Sequence, residues 1–410
     1  MTDFHKNLEK YADLAVQVGV NVQKGQTLVI NTTLDSAELV RLVVKKAYEA
    51  GAYNVIVNWT DDAVTKTKYD LAPDEAFNEY PEWRAKEMEA LAENGAAFMS
   101  IVSASPDLLK GVKSERISNF QKAAGTALSK YRKFVMSDKV SWTVIAAPSA
   151  AWADKVFPNE PAETRVQKLW EAIFKATRTD LENPVEAWKK HDEALHEKVD
   201  YLNSKKYKKL HYKAPGTDLT IELPEKHLWV GAGSVNEKGH EFMANMPTEE
   251  VFTVPLRTGV NGTVSSTKPL SYGGNIIDNF TLTFENGRIV DVKAEEGEEI
   301  LKQLVSTDEG SHYLGEVALV PFNSPISQSN LLFYNTLFDE NASNHLAIGS
   351  AYAFCLEGGK QMSSDELKEH GLNDSLTHVD FMIGSAKMDI DGVKEDGTTE
   401  PVFRNGDWAF

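Results

Sequence analysis

Six side chains in the second half of the chain are of the types that hold divalent cations: Glu250, Glu316, Glu340, His345, His378 and Asp380. Tyr352 falls among them. All sit between apolar and small residues that read as core, where an ionised carboxylate or imidazole carries a desolvation cost unless a cation or strong hydrogen bonds offset it. Carboxylate oxygen mixed with imidazole nitrogen, without thiolate, suits zinc, cobalt or manganese in a catalytic role. It does not suit a structural zinc finger or an all-oxygen calcium cage. The four carboxylates carry enough charge to balance two divalent ions. Ions paired roughly 3.5 to 4 Å apart activate a water while polarising a carbonyl or phosphoryl oxygen. Hydrolysis is the chemistry this set implies.

The spacings state how such groups would converge. His378 and Asp380 lie in Leu376–Ile383, which reads as a strand, and residues two apart on a strand share a face. His345 and Tyr352 are seven apart. That is two turns on one face if helical, and Gly349 and Ser350 equally allow an irregular turn. Tyr352 could donate its hydroxyl to an oxyanion. Glu316 is expected at the head of a strand running through Val317–Pro321, Glu250 at the start of one through Val251–Thr253, and Glu340 just ahead of His345. Each has a plainer reading taken alone: Asp380 as a hydrogen-bond partner orienting His378, Tyr352 as a half-buried phenol, the glutamates as solvated strand ends. Only the joint pattern argues for a metal. His227, His240, His312 and His370 lack comparable neighbours and read as surface or structural residues.

The elements that must position these groups fall into two styles. At 410 residues the chain exceeds what one core usually supports, and two domains are expected, 1–200 and 201–410. In the first, a short apolar run at Gln26–Asn31 precedes a capping-box pattern, Asp35-Ser36-Ala37-Glu38, that opens a helix to about Ala50. A second strand, Asn54–Trp59, completes a βαβ unit. The alternation continues with a helix near Pro81–Glu93, a strand at Ala97–Ser103, a helix around Glu115–Tyr131 and a strand at Trp142–Ala147. This predicts an α/β domain with a largely parallel sheet covered on both faces. No glycine-rich nucleotide fingerprint accompanies it. After a charged helical stretch, Pro161–Tyr201, the character changes. Thr217–Leu223 alternates like a half-buried strand, and Phe280–Glu285 and Arg288–Lys293 flank Asn286-Gly287, a favoured hairpin turn. Glycines become dense between Gly231 and Gly274, as in loops near a site. The second domain is therefore expected to be α+β, mostly antiparallel, and to carry the metal site.

Five segments give a sharper indication: Asn245–Thr253, Gly315–Pro321, Leu337–Ala347, Gly349–Tyr352 and His378–Gly384. Together they resemble the M29 peptidases, the thermophilic aminopeptidase family, and the likeness spans nearly the whole chain, more loosely in the first half. The resemblance implies a two-metal exopeptidase that removes N-terminal residues from short peptides, built as a homodimer. It places metal ligands on Glu250, Glu316, His345, His378 and Asp380 and the active-site tyrosine on Tyr352. Glu340 matches a family position near the metals, as a ligand or as the group that acts on the attacking water. Glu316 shares the candidacy for that proton-transfer role.

Composition narrows the alternatives. A formal charge of −18 disfavours nucleic acid, whose binding needs a basic surface, and the one basic cluster, Lys205–Lys209, reads as a solvated connector. The single cysteine, Cys355, excludes an internal disulfide and a cysteine metal finger. Neither a leader-like start nor an apolar run of membrane-spanning length is evident, so a cytoplasmic protein that does not enter membranes is expected. Two rival readings remain in view. A glycosidase with paired carboxylates would leave His345 and His378 unused, and a non-enzymatic metal- or ligand-binding protein would need no turnover.

Overall fold

The computed structural model describes residues 3–273 and 275–410. Met1 and Thr2 at the start, and Gly274 at the end of the glycine-dense stretch, lie outside them. The chain divides into two compact units. The first comprises residues 3–192, Gly233–Thr248 and residues 273 and 275; the second comprises Glu193–Ala232, Glu249–Tyr272 and Ile276–Phe410.

In the first unit, parallel strands β1 (Thr27–Thr33), β2 (Asn54–Thr60), β3 (Ala97–Val102) and β4 (Trp142–Ala146) lie in the order β2-β1-β3-β4. Leu28, Val29 and Ile30 are consecutive and all buried, so both faces of the sheet are covered. One face carries Val29 and Phe98 in register, packed with Met88 and Ala92 of the helix Glu82–Glu93. The sheet gains a further parallel partner from a distant segment: Val144 N–H donates to Ala244 O at 2.8 Å, and Met246 N–H donates to Val144 O at 3.0 Å.

Local chemistry departs from the sequence reading in two places here. The helix after β1 spans Ala37–Glu49, but the expected capping box does not form. Ser36 Oγ donates instead to Thr33 O at 2.8 Å, within a short 3-10 turn at Leu34–Ser36. The single helix expected over Glu115–Tyr131 is two, Ser114–Ala127 and Ser129–Met136. Gly125 and Thr126, both poor helix formers, weaken the end of the first.

The second unit is largely antiparallel. One large sheet runs through Val260–Ser265, Thr217–Glu222, Lys209–Ala214, Asp389–Val393 and Thr399–Arg404. A smaller sheet has the order His378–Met382, His345–Gly349, Leu314–Leu319, Val251–Thr253, Val230–Gly231. Leu210, Leu219 and Ile221 of the large sheet and Val317, Leu346 and Phe381 of the small one belong to one apolar core. The hairpin turns where Asn286-Gly287 predicts, with φ of 48° and 83° at the two turn residues. The fold class is therefore an α/β parallel sheet followed by α+β antiparallel sheets, as the alternation and the hairpin signals predict.

Candidate metal centre

The small sheet of the second unit separates apolar from polar residues by register. Residues directly opposite on antiparallel strands point to the same face. Val317, Leu346 and Phe381 form one such rung, and Ile348 and Val379 another; all of these pack into or against the core. The alternate rungs carry the polar set. Glu316, Ala347 and Asp380 are in register, Gly349 opposes His378, and His345 lies level with Ala318. The small side chains of Ala318, Ala347 and Gly349 leave room on that face.

The strand is irregular just before Glu316. Leu314 pairs with Ile348 and Glu316 with Ala347, so two steps on one strand oppose a single step on the other. This β-bulge puts Leu314 in the core and turns Glu316 to the opposite side, where regular alternation would keep them together. The extra residue is Gly315, at which an added Cβ would lie 2.2 Å from Ser350 O. Gly349 is similarly restricted, with φ +113° and an added Cβ 2.2 Å from Thr377 O. Glycine is required at both positions.

The expected residues occupy definite places. Glu250 immediately precedes the Val251–Thr253 strand, and Glu316 stands within Leu314–Leu319 instead of at its head. Glu340 opens a 3-10 turn, Glu340–Ala342. His345 begins a strand, not a helix, and Tyr352 follows its end in extended backbone. The irregular turn at Gly349 and Ser350 therefore replaces the helical alternative. His378 and Asp380 share a strand.

Their side chains form two groups. Glu250, Glu316 and His345 converge, as do Glu316, His378 and Asp380, with the ligand atoms of each group within 4.8 Å of one another. His345 Nε2 lies 3.0 Å from Glu250 Oε2 and 3.4 Å from Glu316 Oε1. His378 Nε2 lies 3.4 Å from Asp380 Oδ1 and 3.6 Å from Glu316 Oε2. Glu316 thus presents one oxygen to each imidazole. Glu340 joins neither group, yet its backbone carbonyl accepts from His345 Nδ1 at 2.9 Å. The Tyr352 ring lies 4.8 Å from that of His378.

Burial and like charge govern the electrostatics. Burial pushes the Glu316 carboxyl up to about 7, opposed by its bond to His345. Burial, then the fields of Asp380 and Glu250, hold Glu340 well above the carboxylate range. Burial would lower His345, but its bonds to Glu250 and Glu316 outweigh this and raise it well above its ordinary value. His378 is raised to about 9 in the same way, against burial, by Asp380 and then Glu316. Burial, followed by the surrounding carboxylates, keeps the Tyr352 phenol protonated far into the alkaline range.

The donor set fits divalent cations. Both imidazoles commit Nδ1 to a backbone carbonyl, His345 to Glu340 O and His378 to Ser350 O at 2.7 Å. The Nε2 atoms therefore face carboxylate oxygens, and lone pair would meet lone pair unless a proton or a cation lies between them. Among the described residues, the buried Glu250 Oε2 and Asp380 Oδ1 have no donor beyond the facing imidazole Nε2 atoms, at 3.0 and 3.4 Å. Fully ionised, the four carboxylates outnumber the two imidazoles, and protons such as the one Glu340 retains, or cations in their place, make up the difference.

Sequence reasoning missed the residues that hold this set in place. Asn341, fully buried, accepts from Glu249 N–H at 2.6 Å and so pins the segment that carries Glu250. Asn344 Oδ1 accepts from Val320 N–H at 2.7 Å, tying the Glu316 strand to the approach to His345. Asn373 donates to Gly310 O at 2.7 Å and Gly349 O at 2.6 Å. Asp339 accepts from Phe333 and Asn335 N–H, and burial raises its carboxyl to about 7. The one signal available was the density of amides and hydroxyls in Asn341–His345.

The sequence profile described as Thermophilic metalloprotease (M29) matches residues 4–408. The chain belongs to the M29 family. As an M29 member it is a metallopeptidase. Aminopeptidase AmpS of Bacillus subtilis (strain 168) is 70% identical over 410 residues, covering the whole of both chains. Aminopeptidase 2 of Geobacillus stearothermophilus is 55% identical over 410 residues, covering 100% of this chain and 99% of its own. The structure of wild-type AmpT from Thermus thermophilus superposes with a TM-score of 0.93 at 42% identity, covering 99% of this chain and 100% of the other. The M29 assignment thus rests on likeness across both units.

Proposed function

We propose that this M29 metallopeptidase is an aminopeptidase that hydrolyses the N-terminal peptide bond of short peptides with two divalent cations, zinc, cobalt or manganese. The observation that carries the reading is the pair of His-carboxylate groups that share Glu316. Glu250, Glu316 and His345 would hold one ion, and Glu316, His378 and Asp380 the other. Bound there, such ions supply Lewis acidity toward a scissile carbonyl and toward a water. The protein's own residues perform the remaining work. Glu340, near both groups but a member of neither, is the candidate to accept the water's proton and return it to the leaving amine; as a further ligand it would leave that role to Glu316. Tyr352, protonated at all working pH values, donates to the developing oxyanion. A carboxylate of the cluster, or an ion held by it, would receive the substrate's free α-amine, and this would confine cutting to the terminus.

The same reading takes the protein to be cytoplasmic and homodimeric, with domains at 1–200 and 201–410. Among the described residues no helix is long and apolar enough to cross a membrane. The relatives' names carry the substrate reading, since AmpS and Aminopeptidase 2 are both called aminopeptidases. Anomalous scattering from crystals soaked in cobalt or zinc, together with turnover of aminoacyl-p-nitroanilides, tests it. Two peaks at Glu316 with chelator-sensitive turnover are expected; full activity in excess chelator refutes the reading.

A further inference from the structure

Beside the carboxylates stands a group of aromatic side chains that the proposed chemistry uses only in part. Tyr352 and Phe354 stack, with ring centroids 5.0 Å apart and planes at 20°. Phe252 meets each of them edge-on, at 6.1 Å in both cases. It is two residues beyond Glu250, and Cα register places it level with Ala318 and Val230, on the face that carries His345. All three rings are only partly buried, and they rest on a buried apolar base that includes Val254, Leu356 and Leu372. An apolar wall thus begins where the Tyr352 ring touches His378 and extends away from the charged groups.

We infer that Phe252, Tyr352 and Phe354 form the subsite for the side chain of the substrate's first residue, and that it selects bulky apolar and aromatic side chains. This rests on the aminopeptidase reading above. In a peptide, Cβ of the first residue is two bonds from the carbonyl carbon that reacts. A carbonyl oxygen accepting from the Tyr352 hydroxyl therefore brings that residue's side chain beside the same ring and its stacked neighbour. Later residues lie on the other side of the scissile bond. Partly exposed aromatic faces bury an apolar side chain favourably and hold an aromatic one in stacked or edge-on geometry. The charged alternative, a subsite for basic side chains, would want a carboxylate along this wall, but its members are apolar and the charge beside them is the Lys360 ammonium, 5.8 Å from the Phe354 ring centroid.

The test compares kcat/KM for the p-nitroanilides of phenylalanine, leucine and alanine in the metal-loaded enzyme. The wild type is expected to prefer the first two over alanine by roughly tenfold or more. Phe354→Ala removes one ring and should narrow the phenylalanine-to-alanine ratio by roughly 3- to 10-fold, toward unity. Phe354→Leu keeps apolar volume and should narrow it less, which guards against a misfolded alanine variant. Unchanged ratios in both variants, or a wild type without preference, overturn the subsite and leave the aminopeptidase reading standing. No turnover of any of the three by the wild type overturns both.

Discussion

Glu316 offers a measurement in which the ions and the fold pull in opposite directions. Burial lifts its carboxyl from 4.5 to about 7. The folded protein therefore holds this proton more tightly than the unfolded chain. The resulting stability is complete below about pH 4.5 and is lost as the pH rises through 7. Across that gap, at about 1.36 kcal/mol per pH unit, the loss is on the order of 3 kcal/mol. Glu316→Gln keeps the shape and removes the titration. In excess chelator the variant should be more stable than wild type by about 3 kcal/mol at pH 8.5 and by closer to 1 kcal/mol at pH 5.5. Added zinc, cobalt or manganese should reverse the order, because ions that bind only the folded state stabilise it and the variant lacks the carboxylate common to both groups. Urea unfolding followed by fluorescence and circular dichroism, with and without metal, reads both arms. A chelated variant no more stable than wild type at pH 8.5, or one that gains equally from metal, would refute the reasoning.

Two further expectations concern the same face. Tyr352→Phe should lower kcat by roughly 10²- to 10³-fold with bound metal unchanged, as steady-state kinetics and elemental analysis would show; a near-normal rate would reduce Tyr352 to a packing role. Ala347, fully buried and in register with Glu316 and Asp380, has its methyl between two carboxylates. Ala347→Leu should destabilise by about 1–3 kcal/mol through overpacking and lower the metal retained after dialysis. Full retention would mean that the space on this face is not reserved for ions.

The sequence conveys the regular parts of this fold and loses the irregular ones. Strands β1 to β4 are readable because their apolar runs alternate with helical periods, and the Asn286-Gly287 hairpin because only a few residues tolerate its turn. Residues 244–246 give no such sign. Their pairing beside β4 uses backbone groups alone, and backbone hydrogen bonding leaves no mark on residue type. The candidate site follows the same division. His378 and Asp380 fall on one strand at a spacing that pattern reading detects. Glu316 alternates with Val317 in the ordinary way; what pattern reading misses is the bulge at Gly315, which lets Leu314 and Val317 share the core face. The helical alternative for His345 and Tyr352 rested on a separation that a strand followed by a turn satisfies equally. Asn341, Asn344 and Asn373 were invisible for a related reason. They bond to main chain far away in sequence, which periodicity does not encode.

That single extra residue also sets how this strand tolerates change. Deleting Gly315 would make Leu314 and Glu316 adjacent, and the ladder could then close without interruption while each kept its present face. Loss or gain of one residue between 317 and 319 would instead carry Glu316 to the apolar side, and should disable the centre far more thoroughly than most substitutions there, even where the chain still folds.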